Sequence, residues 1–328
     1  MGVVYLARDL VLDPKRVVVK LLGYHLTQDE WAEKQFRREV EALARVNHPG
    51  VVGVLDVGLA ADGRSYLVMP FVEGVTLRAH VQSQGPLPFS QASSIIRQLG
   101  EALSAAHDKG VIHCDVKPPN VVLTPLADGD FRATLIDFGV ARLAQNVAVA
   151  GNATVHIAGT VPYIAPERLQ GQAAQAASDL FSLAVMAYEI LTGALPFNTE
   201  YPELALEYLS RGVRQPPSEL RPDLPQAAAA LMLRALAFDP AERGGAALDF
   251  GLELGRALCA RQSGQLGPVP RLLEVWAEPV GVGNRDSREN RQPLTCGIGD
   301  RLKLHVRTSR AGYLSVFNLG TSGATALL

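Results

Sequence analysis

The sequence predicts an α+β protein in three parts: a small β-rich lobe carrying one helix, a larger helical lobe, and a small β-rich tail. β-Branched runs crowd the first 69 residues, and from Val75 onward the apolar spacing turns helical. A Gly/Pro stretch, SGQLGPVP at 263–270, then precedes a return to short β-forming runs. The predicted boundaries are a first lobe 1–69, a connecting segment 70–74, a second lobe 75–262, a linker 263–270 and a tail 271–328.

VVYLA (3–7) and RVVVKLL (16–22) read as strands on either side of a turn at Asp13-Pro14. TQDEWAEKQFRREVEALARV (27–46) reads as a helix, with Thr27 placed to cap it and Glu30 at the capping-box position. Trp31, Phe36, Val40 and Leu43 give it an apolar face, and Asn47-His48-Pro49-Gly50 stops it. VVGVLDVGL (51–59) and SYLVMPFV (65–72) read as two further strands around Asp62-Gly63. In the second lobe, residues 88–110 form an amphipathic helical pattern closed by Gly110. SDLFSLAVMAYEILTG (178–193) is so apolar that it predicts a helix buried on every side, and alanine-rich helices fill 225–262. In the tail, LLEVWAEPV, RLKLHVRTS and YLSVFNLG are rich in β-formers. The sequence stops on the apolar GATALL, so the tail domain is expected to be incomplete.

A composition that is 48% hydrophobic and 20% charged is ordinary for a soluble globular protein. The net charge of −2 supplies no basic field for nucleic acid or an anionic membrane. Cys114, Cys259 and Cys296 lie far apart with no CxxC pair, which excludes a disulfide framework or a zinc ribbon. No apolar run reaches the roughly 18 residues of a membrane span, and MGVVYLARDL has Arg8 and Asp9 where a leader needs an apolar core. The expectation is a cytoplasmic protein without a membrane span.

The stretch VIHCDVKPPN (111–120) sets His113, Asp115, Lys117 and Asn120 close together among apolar residues. Pro118 and Pro119 rule out a regular helix or a central strand, so it reads as a loop that holds something. Other polar residues interrupt apolar patterns in a fixed order: Gly2 at the first strand, Lys20 ending VVVK, Glu39 in the helix, IDFG at 136–139 and APE at 165–167. Taken singly, a lysine after a strand is a solvated edge, Asp-Phe-Gly is a turn, and a glutamate on a helix is surface. Their joint order and spacing defeat those readings.

Together these residues resemble the eukaryotic-like Ser/Thr protein kinases, in particular the bacterial branch, whose signatures are a Gly-rich loop, V-A-I-K, H-R-D-L-x-x-x-N, D-F-G and A-P-E. The resemblance covers roughly residues 1–260 and implies a two-lobed protein-kinase-like fold with the kinase domain over 1–262. It implies transfer of the γ-phosphate of ATP to Ser or Thr hydroxyls of protein substrates, with Mg²⁺, or Mn²⁺ in its place, as the metal. By the same resemblance Asp115 is the catalytic base, Lys117 a charge beside the moving phosphate, and Asn120 and Asp137 the metal ligands. Lys20 would contact the α/β-phosphates and Glu39 would hold Lys20. Gly2 would lie against the phosphates, Val4, Val18 and Val122 would sandwich the adenine, and Met69 would back the pocket. In the hinge MPFVEG, the Pro70 C=O and the Val72 N–H would meet the base. Lys117 and Thr160 follow the Ser/Thr-type pattern; His113, Glu167, Asp179 and Arg243 match structural positions.

The sequence departs from the family in three places. It begins inside the Gly-rich loop, Gly2 matching the third glycine, and the start is expected to be a fragmentary one. Were the first strand truly absent, the alternative would be a pseudokinase, an ATP-binding signalling scaffold without turnover. A small-molecule phosphotransferase of the same fold generally lacks the DFG and GT…APE segments present here. The tail resembles small β-rich domains appended to bacterial kinases and proteases, where a protein partner or signal is expected by analogy. Within it His305 and Cys296 read as strand residues, not ligands. Finally, Cys114 stands where an arginine usually pairs with a phosphorylated activation segment, and a short neutral thiol cannot form that bidentate contact. Activity is therefore expected not to depend strongly on phosphorylation of residues 140–158, where Thr154 is the candidate autophosphorylation site. Turnover of the Thr154→Ala variant is predicted to fall by far less than about a hundredfold, as steady-state kinetics would read.

Overall fold

The computed structural model describes residues 3–9, 15–23, 30–127, 129–138, 161–197, 204–260, 273–279, 302–308, 317–319 and 325–327. The chain divides into two compact units, 1–260 and 261–328. The first opens with a four-stranded antiparallel sheet of β1 (Val3–Arg8), β2 (Arg16–Leu21), β3 (Asp56–Leu59) and β4 (Ser65–Pro70), in the order β1-β2-β4-β3. Register sets its chemistry. Val4 stands opposite Lys20, Lys20 opposite Leu67, and Val18 opposite Met69, so these side chains share one face of the sheet. Between β2 and β3 runs α1 (Glu30–Ala44), whose Phe36, Val40 and Leu43 are buried at the spacing of a single helical face. Thr27, the expected cap, lies outside the described residues.

The strand expected over 51–59 is shorter, only Asp56–Leu59. Val51 instead makes an isolated parallel bridge to Leu135, with Val52 N–H donating to Leu135 C=O (2.9 Å) and Leu135 N–H to Gly50 C=O (2.8 Å). The buried Val51 and Val52 thus tie the first lobe onto the second in place of extending its sheet. β4 ends at Pro70, where a missing N–H is tolerated. Phe71 N–H then donates to Arg16 C=O (3.3 Å) as the chain leaves the sheet.

The second lobe adds a small sheet, β5 (Val75–Thr76), β6 (Val121–Pro125) and β7 (Phe131–Leu135), in that order. Its helices are α2 (Leu77–Gln84), α3 (Phe89–His107), α4 (Pro166–Leu169), α5 (Ala176–Thr192), α6 (Ala205–Ser210), α7 (Pro217–Leu220), α8 (Gln226–Ala235) and α9 (Ala247–Cys259). α5 is the pillar of the lobe: every residue from Ser178 to Leu191 is buried, as its sequence predicts. Gly193 ends it in the left-handed conformation, φ 78°, that a glycine adopts without strain. α3 and α9 pack closely at Gly100, where an added Cβ would lie 2.5 Å from the Ala247 carbonyl oxygen and 3.3 Å from the Gly251 Cα. The second unit carries two antiparallel pairs, β8 (Leu273–Pro279) with β9 (Leu302–Thr308) and β10 (Phe317–Leu319) with β11 (Thr325–Leu327).

A buried ion pair closes the base of the second lobe. Arg243 donates to both carboxylate oxygens of Glu167 (2.8 and 2.7 Å) and to the carbonyls of Ala177, Ala237 and Phe238. Burial alone would raise the Glu167 carboxyl, but the hydrogen bonds from Arg243 and Ser178 outweigh it and hold the group below the usual carboxylate range. Removing one partner strands the other charge in a dry site, which costs roughly 3–5 kcal/mol. Arg243→Met is accordingly predicted to lower the urea midpoint sharply, and an unshifted midpoint would contradict this account.

Candidate active site

The loop 111–120 is shaped by backbone bonds to one carboxylate. Asp179, on α5 and 1% exposed, accepts the N–H of His113 at Oδ2 (2.8 Å) and the N–H of Cys114 at Oδ1 (2.9 Å), with the His107 imidazole 2.8 Å from Oδ2. The turn so formed puts Cys114 at φ 66°, and Asp137 is at φ 58°; no other non-glycine residue among the described ones has a positive φ. Such backbone is sparsely populated for L-residues and persists where its surroundings impose it. The Cys114 Sγ lies 3.6 Å from the Ile112 carbonyl oxygen. The last residues, Pro118–Asn120, form one turn of 3₁₀ helix where the sequence suggested only open loop, with both prolines at its first positions, where no N–H is needed.

The loop is stapled to the segment that carries Asp137. Ile136 N–H donates to the Asn120 carbonyl (2.9 Å), and the Ile136 carbonyl lies 3.2 Å from His113 Nε2. Asp115 N–H donates to His113 Nδ1 (3.2 Å), so Nδ1 is the acceptor and Nε2 carries the proton given to Ile136. His113 also packs its ring 4.4 Å from that of Phe138. Burial pushes the imidazole below the usual histidine range, against the opposing pull of Asp179, Asp115 and Asp137.

Asp115, Lys117 and Asn120 converge within this frame. Lys117 Nζ is 2.9 Å from Asp115 Oδ2, and Asn120 Nδ2 donates to Asp115 O (2.9 Å) and Oδ2 (3.0 Å). Across the cleft, Lys20 forms an ion pair with Asp137. Glu39 sits half-buried on α1, its Oε2 shielded from solvent. A cavity of about 10 Å³, room for about one water, joins α1 to this pair: Phe36 and Leu43 line it with Lys20, Met69, Asp137 and Phe138. Val18 is half-buried, Met69 and Val122 are buried, and Val4 is exposed at 57% on the cleft face of the sheet. Gly2, Thr154 and Thr160 lie outside the described residues. No group of three His, Cys, Asp or Glu side chains that could hold a metal occurs among the described residues.

A family profile described as "Protein kinase domain" matches residues 1–248. The chain belongs to the protein kinase family. Its kinase domain is similar to the Serine/threonine-protein kinase pkn3 of Myxococcus xanthus, 34% identical over 83% of this chain and 52% of that protein. It is also similar to PknB of Mycolicibacterium smegmatis (36%, covering 83% and 43%) and PrkC of Bacillus subtilis (33%, covering 79% and 39%). The chain thus spans about half or less of the length of these relatives. Among solved structures, the PknI kinase domain of Mycobacterium tuberculosis superposes with a TM-score of 0.59 at 31% identity, over 78% of this chain and 91% of that one. Rad53 1–466 in complex with AMP-PNP matches at a TM-score of 0.59 and 25% identity, over 74% and 58%. Among the described residues of the kinase domain and tail, no helix is long and apolar enough to cross a membrane.

The kinase domain contains polar residues that the sequence reading passed over. His107 and Ser178 buttress Asp179 and Glu167, while Arg78, Tyr163 and Glu189 form a second buried cluster. Glu189 was findable, because an acid inside the apolar run 178–193 must have a buried partner. The low His113 value predicts a pH response. Above pH 6.5 neither state is protonated; below it the unfolded chain takes up the proton and the folded one resists, so stability is lost as pH falls. Urea midpoints should drop from pH 6.5 to about 5.5, with a slope of at most about 1.4 kcal/mol per pH unit from this group. His113→Gln should flatten that dependence.

Proposed function

We propose that the chain transfers the γ-phosphoryl group of ATP to Ser or Thr hydroxyls of protein substrates. One observation carries this reading: Asp115, Lys117 and Asn120 are mutually hydrogen-bonded in a loop anchored by Asp179, facing a paired Lys20 and Asp137. The donor set suits a hard cation such as Mg²⁺, since Asp137 and the Asn120 Oδ1 offer oxygen. With no three-residue metal cluster among the described residues, the ion's remaining ligands would be phosphate oxygens and water. The bound metal–nucleotide supplies the phosphoryl group and neutralises the charge that develops on it.

The chain's own residues divide the remaining work. With nucleotide and metal bound, Lys20 would hold phosphate, Asp137 would hold the metal, and Glu39 on α1 would take up the ammonium. Val4, Val18, Met69 and Val122 give the adenine an apolar slot, with the Pro70 C=O and Val72 N–H at its edge. Asp115 accepts the proton of the acceptor hydroxyl as its oxygen bonds to phosphorus and the bond to the ADP oxygen breaks. Lys117, already beside the Asp115 carboxylate, neutralises the transferring group. Asn120 holds Asp115 through Nδ2 and offers Oδ1 to the metal. Cys114 takes no part in these contacts. A scaffold without turnover is not favoured, because every polar group of the set is present.

The domain limits proposed are 1–262 for the kinase domain, divided at 69 and 75, and 271–328 for the tail, which contributes none of these residues and is read as the part that meets a signal or partner protein. We read the kinase domain as cytoplasmic, in keeping with Cys114 and Cys259 standing as thiols and not in a disulfide. The test is phosphate transfer from labelled ATP to casein by the full chain with Mg²⁺. Asp115→Asn is expected to cut turnover roughly 10²–10⁴-fold, the usual weight of a general base. Undiminished transfer by that variant would sink the assignment.

A further inference from the structure

The connecting segment 70–74 is fastened to both lobes, and its fastening to the first lobe comes from one residue. Arg16 opens β2, and its carbonyl accepts the Phe71 N–H (3.3 Å), one residue beyond the last register pair, Val17 with Pro70. Its guanidinium lies over the Phe71 ring, with Cζ 4.5 Å from the centroid, and forms an ion pair with the Glu73 carboxylate. The second lobe holds the same segment through the main chain. The Glu73 carbonyl accepts from Thr124 Oγ1 (2.5 Å) on β6. Gly74, at φ 144°, runs so close to the Leu123 carbonyl oxygen that an added Cβ would lie 2.3 Å from it.

Val72 stands between the two residues that the Arg16 side chain holds. Its own side chain is half-buried against the core, and its N–H forms, with the Pro70 C=O, the edge proposed above for adenine. A planar guanidinium can stack on a ring and pair with a carboxylate at once, so one group restrains the chain before Val72 and after it. Glu73 is tied to the first lobe by its side chain and to the second by its carbonyl, which restricts rotation of the peptide planes on either side of Val72. The Arg16 and Glu73 side chains are 44% and 65% exposed. At such exposure an ion pair contributes little to global stability, and its consequence is the local geometry.

We propose that Arg16 is a positioning residue for the nucleotide, gripping Phe71 and Glu73 so that the Val72 N–H and the Pro70 C=O stay aligned with the hydrogen-bonding edge of adenine. This rests on the ATP reading above. Adenine offers those two groups an amino donor and a ring-nitrogen acceptor. Guanine offers a carbonyl and a ring N–H in the same places, so the alignment matters for ATP and not for GTP.

The experiment uses the full chain with Mg²⁺, ATP and casein, comparing wild type with Arg16→Gln, Arg16→Lys, Glu73→Gln and the double variant Arg16→Gln/Glu73→Gln. In Arg16→Gln the KM for ATP should rise about fivefold, with kcat and the KM for casein within about twofold of wild type. The Ki of GTP as a competitor of ATP should move by less than about twofold. Arg16→Lys, which keeps the charge and loses the planar stack, should restore only part of the loss. Glu73→Gln, which removes the carboxylate from the guanidinium, should raise the same constant, and the double variant should be no worse than Arg16→Gln alone. Unchanged kinetics, or ATP and GTP weakened alike, would overturn the proposal. So would an unaltered or tighter ATP constant in Glu73→Gln, which would mean that Arg16 touches the nucleotide itself. If wild type transfers no phosphate to casein, the kinase reading fails on its own, and calorimetric titration with ATP and Mg²⁺ decides the remainder. Binding about fivefold weaker in Arg16→Gln supports the clamp, and equal binding, or none in either protein, rejects it.

Discussion

The site hangs on one buried carboxylate. Asp179 is carried by the most deeply buried helix of the chain, so its position is set by the packing of the whole second lobe. It uses both oxygens on the backbone of the loop, and the adjacent N–H groups of His113 and Cys114 can satisfy it together only if the chain turns sharply between them. Charge-assisted bonds of this kind in a dry setting are strong. They hold Cys114 in the left-handed region, and the next residue, Asp115, is buried. Asp115 is therefore placed by main-chain contacts, while its side chain is engaged by Lys117 and Asn120.

The same logic extends one layer outward. Ile136 donates its N–H to the Asn120 carbonyl on one side and accepts from the His113 imidazole with its own carbonyl on the other, so the loop and the Asp137 segment are tied together. Phe138 seals that piece beneath α1, where Phe36 and Leu43 line the small cavity beside it. The helix bearing Glu39 is in this way in mechanical contact with the segment bearing Asp137. Lys20 reaches Asp137 from the sheet, so opposite charges are matched across the cleft. That arrangement limits the electrostatic cost of holding a cation and an anion ready for a ligand that brings both signs.

Much of this was legible in the residue order. The helix over 178–193 announced itself by continuous apolarity, the α1 face by its spacing, and the loop 111–120 by prolines beside polar groups that a core could not use. Val51 and Val52 were misread because β-branched residues favour strands wherever they occur, and their actual partner, Leu135, lies 84 residues away, beyond any local signal (135 − 51). The short strands β5 to β7 and the helix α2 carry patterns too brief to stand out. The Arg78–Tyr163–Glu189 cluster is a tertiary meeting of three segments that the sequence did not mark, although an acid so late in an apolar run pointed to a buried partner.

The turn at Cys114 has a further consequence. Because the main-chain N–H, and not the side chain, makes the contact with Asp179, the residue at 114 can change without redirecting its neighbour. The requirement is for a left-handed backbone conformation, which costs roughly 1–2 kcal/mol in an L-residue and most for β-branched ones. The position therefore acts as a free socket beside a fixed tool. A different side chain at 114 would leave the same aspartate presented, because the anchoring contact is made by the main chain.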